Sequence, residues 1–122
     1  MKDLRIAFVG GGNMAEAIIG GLLAGGVAAA GQIVVADVAA ERRNGLAKKH
    51  GIAATGDNAE AARGAGVVVL AVKPQQAGEV LAGLKAALTE RQLLVSICAG
   101  LPTAALEAQA PARVVRVMPN LP

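Results

Sequence analysis

Arg5 to Leu23 reads RIAFVGGGNMAEAIIGGLL. The apolar run Ile6 to Val9 breaks into Gly10, Gly11 and Gly12. Met14, Ala17, Ile18, Gly21 and Leu22 then follow at helical spacing, so the stretch predicts a strand, a tight turn and a helix starting near Asn13. That is the opening of a dinucleotide-binding βαβ unit. Gly10 suits the turn, and Gly12 removes the side chain that would hold a pyrophosphate off the backbone. Ala15 completes G-x-G-x-x-A, a variant that still lets helix and strand pack closely. The helix start would aim unpaired N–H groups and the positive end of its dipole at phosphates.

Many glycine-rich turns bind nothing, so the context decides. A second strand, Ile33 to Ala36, ends in Asp37 about twenty residues past the turn, where an acidic group in this fold meets the adenosine ribose.

The 122 residues fit one domain, 1–122, with hydrophobic residues at 54% and charged residues at 17%. Phe8 is the one aromatic, so Val, Ile, Leu and Ala must build the core, as between parallel strands and helices, and no ring platform for single-stranded nucleic acid exists. The net charge is +3, but only Arg42, Arg43, Lys48 and Lys49 stand close together, which argues against a nucleic-acid partner. Those four read as one solvated helix face, or else Arg42 or Arg43 lies near a ribose 2′-phosphate and favours NADP over NAD. The single cysteine, Cys98, cannot form an internal disulfide, MKDLRIAF is too soon interrupted for a signal peptide, and no apolar run reaches the ~20 residues of a membrane span. A cytoplasmic protein without a membrane partner is expected.

Further along, Gly25 and Gly26 end the first helix, and Gly20 and Gly21 inside it read as places of close packing on the sheet. Val27 to Gly31 reads as a small-residue connection. Ala39 to Lys49 predicts a helix with its charges outward and Leu46 and Ala47 inward, stopped by Gly51. His50, the only histidine, reads as a helix C-terminal residue rather than a catalytic base. A short strand, Ile52 to Ala54, leads to a small helix, Ala59 to Arg63, capped by Asp57 or Asn58; alternatively Asn58 faces the adenosine. Val67 to Val72 is apolar and β-branched, as a central parallel strand should be, and Lys73 and Gln75 after it are placed either to reach a cofactor or in an ordinary solvated turn. Gly78 to Leu88 predicts a covering helix with Val80, Leu81, Leu84 and Leu88 on one face. Leu93 to Ile97 is a fifth strand ending in Cys98, Ala99 and Gly100, small enough for a flat ring to approach. Pro102 starts a helix to about Ala108, and Arg113 to Val117 is a sixth strand. The fold class expected is therefore α/β, a Rossmann-type doubly wound, mainly parallel sheet of about six strands with helices on both faces.

No carboxylate pair, histidine, metal-ligand cluster or Ser-His-Asp set stands at the strand ends, so no catalytic residue and no metal ligand is assigned. The stop after Asn120-Leu121-Pro122 reads as a domain edge, with an uncovered apolar patch expected around Val117 to Leu121.

FVGGGNMAEAIIGGL, VVVLAVKPQ, VSICAGL and RVVRVMPNLP, four motifs in order across the chain, closely resemble the N-terminal domain of pyrroline-5-carboxylate reductases. The resemblance implies hydride transfer from NADPH or NADH to the C=N bond of 1-pyrroline-5-carboxylate, giving L-proline. It implies a cofactor held by Val9, Gly10, Gly11, Gly12, Asn13, Met14, Asp37, Asn58, Ala71, Val72, Lys73, Pro74, Ile97, Cys98, Ala99 and, in the last motif, Asn120. It also implies that the substrate pocket and the homo-oligomer contacts come largely from a following helical domain, and that this domain alone is inactive. Leu121 departs from the family's usual threonine. Asp37 stands where many members carry a small, polar or basic residue, which leans towards NAD, whereas Arg42, Arg43 and the family slightly favour NADPH. Two other readings stay open: a related imine or β-hydroxyacid reductase, and a stand-alone nucleotide-binding domain that senses redox state or regulates a partner.

Overall fold

The computed structural model describes residues 3–97 and 112–117. Its six strands form one sheet in the order β3-β2-β1-β4-β5-β6, and every pairing is parallel. The strands are β1 (Ile6–Val9), β2 (Ile33–Ala36), β3 (Ala53–Thr55), β4 (Val67–Leu70), β5 (Leu93–Ser96) and β6 (Arg113–Arg116). The helices are α1 (Asn13–Ala24), α2 (Ala40–His50), α3 (Asn58–Ala62) and α4 (Pro74–Leu84), with a single 3-10 turn at Ala30–Gln32. The chain builds outward from β1 to β3, then crosses back to lay β4 on the other side of β1. The topological switch point therefore lies between β1 and β4, at the glycine turn.

Alternation along β1 sorts its side chains between two layers. Ala7 and Val9, with Val68, Leu70 and Leu94, pack against Ala61, Ala62, Ala77, Leu81 and Leu84 of α3 and α4. Ile6 and Phe8, with Ile33 and Val35, pack against Ala15, Ile19 and Leu46 of α1 and α2. Phe8 is fully buried. Because α1, α3 and α4 meet the sheet chiefly through Ala, Ile and Leu, three apolar strands can be covered on both faces by short helices.

Several sequence expectations shift. On α1 the buried positions are Ala15 and Ile19, while Ala17 and Gly21 are exposed. A Cβ on Gly21 would meet nothing within 4 Å, and one on Gly20 would come only to 4.0 Å of the His50 ring, so neither glycine serves packing on the sheet. α4 begins at Pro74 rather than Gly78, because proline pre-sets the first helical φ and has no N–H to leave unpaired. The expected connection Val27 to Gly31 closes as the 3-10 turn, Gln32 Oε1 accepting from the Ala29 N–H. Asp57, not Asn58, caps α3, its carboxylate accepting from the N–H groups of Ala59 and Glu60. The helix expected from Pro102 lies outside the described residues.

Two polar contacts fix the layers. Gln92 is buried: its amide nitrogen donates to the carbonyls of Ala62 (2.8 Å) and Ala65 (2.7 Å), and its oxygen accepts from the Thr89 N–H at 2.7 Å. One side chain thus ties the end of α3 to the entry of β5. On the other face, Glu16 of α1 draws three basic side chains from α2: Arg42 Nη2 at 3.1 Å, Lys49 Nζ at 3.2 Å and His50 Nε2 at 3.0 Å. His50 foremost, then Lys49 and Arg42, hold the Glu16 carboxyl down at about 2 from an ordinary 4.5.

Replacing Gln92 by Leu removes three hydrogen bonds to backbone groups at once, and a loss of about 3 kcal/mol in unfolding free energy is expected in urea titration. Because the folded-state value for Glu16 is depressed, its contribution is complete above pH 4.5 and fades as the pH falls towards 2. Glu16→Gln should therefore unfold at lower urea than the parent chain at pH 5, and the gap should close steadily between pH 4.5 and 2.

Candidate functional site

A cleft of about 810 Å³ opens beyond the carboxyl ends of β1, β2, β3 and β4, walled on one side by α4. The strand ends stand level because each pairing runs one residue further: Gly10 N–H to the Ala36 carbonyl, Asp37 N–H to Thr55 and Ala71 N–H to Val9, all at 2.8 to 3.1 Å.

The turn forms the floor. Gly10 has φ +100°, a conformation only glycine adopts freely, and a Cβ there would stand 2.7 Å from the Ala71 carbonyl oxygen. Gly11 is buried and its peptide is gripped on both sides. Its N–H donates to Asp37 Oδ2 at 2.9 Å, and its carbonyl accepts from Arg42 Nε. Asp37 Oδ1 also accepts from the Ala39 N–H at 2.9 Å, so both oxygens of this carboxylate are anchored. Gly12 differs from its neighbours: it is exposed, has ordinary extended backbone, and a Cβ on it would meet nothing within 4 Å. The space beside it is the cleft. Gly12 is also the N-cap of α1, and no side chain caps that helix, so the N–H groups of its first turn have no capping acceptor.

Of the residues singled out in the sequence, Gly10, Gly11, Gly12, Asp37, Asn58, Ala71, Val72 and Lys73 line this cleft. Val9, Asn13, Met14, Pro74 and Ile97 do not; Val9 is fully buried in β1, and Pro74 opens α4. Cys98, Ala99 and Asn120 lie outside the described residues. Gln75 is exposed away from the cleft, and Gln76 lines it instead, because α4 starts at Pro74 and turns Gln76, Glu79, Val80 and Gly83 to this side. That helical stripe is legible as period 3.6 only once the helix start is placed correctly. Arg42 and Arg43 are not a solvated face. Arg42 spans Gly11 and Glu16, and Arg43 Nη1 donates to the carbonyls of Asp37 (3.1 Å) and Val38 (3.3 Å). At the far edge, Val115 and Val117 are exposed; the rest of the expected apolar patch is outside the described residues.

Among the described residues no group of three or more His, Cys, Asp or Glu could hold a metal ion, and no helix is long and apolar enough to cross a membrane. The floor fits a dinucleotide: an uncapped helix start, a peptide with no side chain at Gly12, and a carboxylate one strand away at Asp37.

Known proteins place the same architecture in context. A pyrroline-5-carboxylate reductase of Pseudomonas aeruginosa is 52% identical over all of this chain and 45% of its own length, and one of Haemophilus influenzae is 47% identical over the same shares. Among solved structures, a pyrroline-5-carboxylate reductase from Coxiella burnetii superposes with TM-score 0.92 at 39% identity, covering 98% of this chain and 45% of that one. The Plasmodium falciparum pyrroline carboxylate reductase, solved with NADP bound, gives 0.84 at 30% identity over 98% of this chain and 44% of that one. The chain thus spans a little under half the length of the curated relatives it matches. The family model described as "NADP oxidoreductase coenzyme F420-dependent" matches residues 5–100, and the chain belongs to that oxidoreductase family.

Proposed function

We propose that residues 1–122 are the dinucleotide-binding part of an NAD(P)H-dependent reductase that converts 1-pyrroline-5-carboxylate to L-proline. The observation that carries this reading is the open wall at Gly12, set at the uncapped start of α1 and at the switch point of the sheet, in a chain 52% identical to a pyrroline-5-carboxylate reductase. When bound, the reduced nicotinamide supplies a hydride to the imine carbon, while the ring nitrogen takes a proton.

The residues of this chain do the holding. Gly12 leaves room for the pyrophosphate against the first turn of α1. Asp37 offers its remaining lone pairs to ribose hydroxyls. Asn58, at the mouth of the cleft, supplies an amide on the adenosine side. Ala71, Val72 and Lys73 continue β4 past the sheet, small and apolar first, then cationic, on the side where the nicotinamide half would extend. The same reading makes the whole enzyme a homo-oligomer assembled through a helical region following this domain, and places it in the cytoplasm, where a single cysteine and a reduced nicotinamide pool are both at home.

Gly12 and Gly10 separate binding from folding. Gly12→Val should unfold within about 1 kcal/mol of the parent chain, since its side chain enters open space at an allowed φ, yet should lose NADH and NADPH in nicotinamide-fluorescence titration. Gly10→Ala should instead cost about 2 kcal/mol or more, from positive φ and the Ala71 contact. Activity is tested by exchanging this chain for the matching 45% of the Pseudomonas aeruginosa relative. Proline formation by that chimera, abolished by Gly12→Val, is expected; dinucleotide binding without turnover would favour a regulatory nucleotide-binding role.

A further inference from the structure

Resting on the reading of the cleft as a dinucleotide site, we infer that it takes NADH in preference to NADPH, with Asp37 as the residue that discriminates. The two cofactors differ by one phosphate on the adenosine ribose, so the decision lies with what surrounds the end of β2. There the cleft presents a carboxylate that cannot swing aside. Asp37 Oδ2 accepts the Gly11 N–H and Oδ1 the Ala39 N–H, both at 2.9 Å. Its free lone pairs suit hydroxyl donors, and a 2′-phosphate in the same place would meet like charge at contact distance.

Two arginines stand close to that charge, each hydrogen-bonded within the protein, and neither lines the cleft. Arg42 is shared between the Gly11 carbonyl and Glu16, and Arg43 donates to the carbonyls of Asp37 and Val38, its guanidinium beside Gly56 at the edge of the cleft. Val38, Ala39 and Ala40, which follow Asp37, bring no polar side chain, and Val38 is 84% exposed. A second carboxylate, Asp57, also lines this side. Lys73 is the cation among the described lining residues, and it follows β4, two strand spacings or about 10 Å across the sheet from β2.

The test is a fluorescence titration of the chain with NADH and with NADPH at fixed salt, on the parent and four variants. The parent should bind NADH at least tenfold more tightly. Asp37→Asn, which keeps an acceptor for Gly11 without the charge, should narrow that ratio at least fivefold by improving NADPH, and Asp37→Ser should narrow it further. Arg42→Ala and Arg43→Ala should weaken both dinucleotides to the same extent, since these arginines act on backbone. Equal affinities, tighter NADPH, or a selective loss of NADPH in either arginine variant would overturn the inference while leaving the dinucleotide site standing. Binding of neither cofactor by the parent would overturn the site itself, and the preference with it.

Discussion

The peptide unit of Gly11 is the point on which the site depends. Its N–H is held by a carboxylate from the end of β2 and its carbonyl by a guanidinium from α2, so a loop of three glycines, intrinsically the freest backbone available, is fixed in one shape. A turn without side chains leaves open space beside Gly12 and also lacks the means by which it could order itself. The order is supplied from 26 and 31 residues away. Charge-assisted bonds serve here because each places one ionic group on a backbone amide that would otherwise be buried and unpaired.

The same two side chains connect the turn to the rest of the α1 and α2 layer. Arg42 reaches Glu16 on α1 as well as Gly11, and Glu16 gathers Lys49 and His50 from the last turn of α2. α1 is therefore pinned to α2 near its start, where the dipole of α1 meets the cleft, and not merely packed on the sheet through Ala15 and Ile19. On the other layer Gln92 performs the analogous task with neutral groups, fixing α3 against the entry to β5. Each layer thus has a polar fastening among largely aliphatic side chains, and the chain's only aromatic, Phe8, lies in the α1 and α2 layer.

Much of this was legible in the residues. The apolar run before three glycines, the spacing to Asp37 and the β-branched stretch at Val67 to Leu70 each report a local property, periodicity or backbone freedom, and all the described strands stand within a residue or two of where those properties put them. What escaped reading is what depends on a partner far along the chain. A helix carrying Arg42 and Arg43 reads as solvated, since periodicity reports the direction of a side chain around the helix axis and not what lies there. Gly20 and Gly21 read as packing sites because a missing side chain suggests a close neighbour; at Gly21 there is none. Gln92, buried and hydrogen-bonded to three backbone groups, lies in an unremarkable TERQ stretch.

The contrast among the three glycines shows how one motif divides its labour. At Gly10 a side chain is excluded by backbone conformation and by the Ala71 carbonyl, at Gly11 by Leu46 and by Asp37 itself, and at Gly12 by nothing within the protein. The first two absences are explained by folding alone. The third is not, because a residue with extended backbone, open space and an N-cap position would ordinarily be filled by serine, threonine, asparagine or aspartate, whose side chain would satisfy the first-turn N–H groups of α1. Leaving those groups uncapped costs the free chain helix stability. An external acceptor standing where the cap is missing would satisfy them, and the positive end of the α1 dipole favours an anionic one.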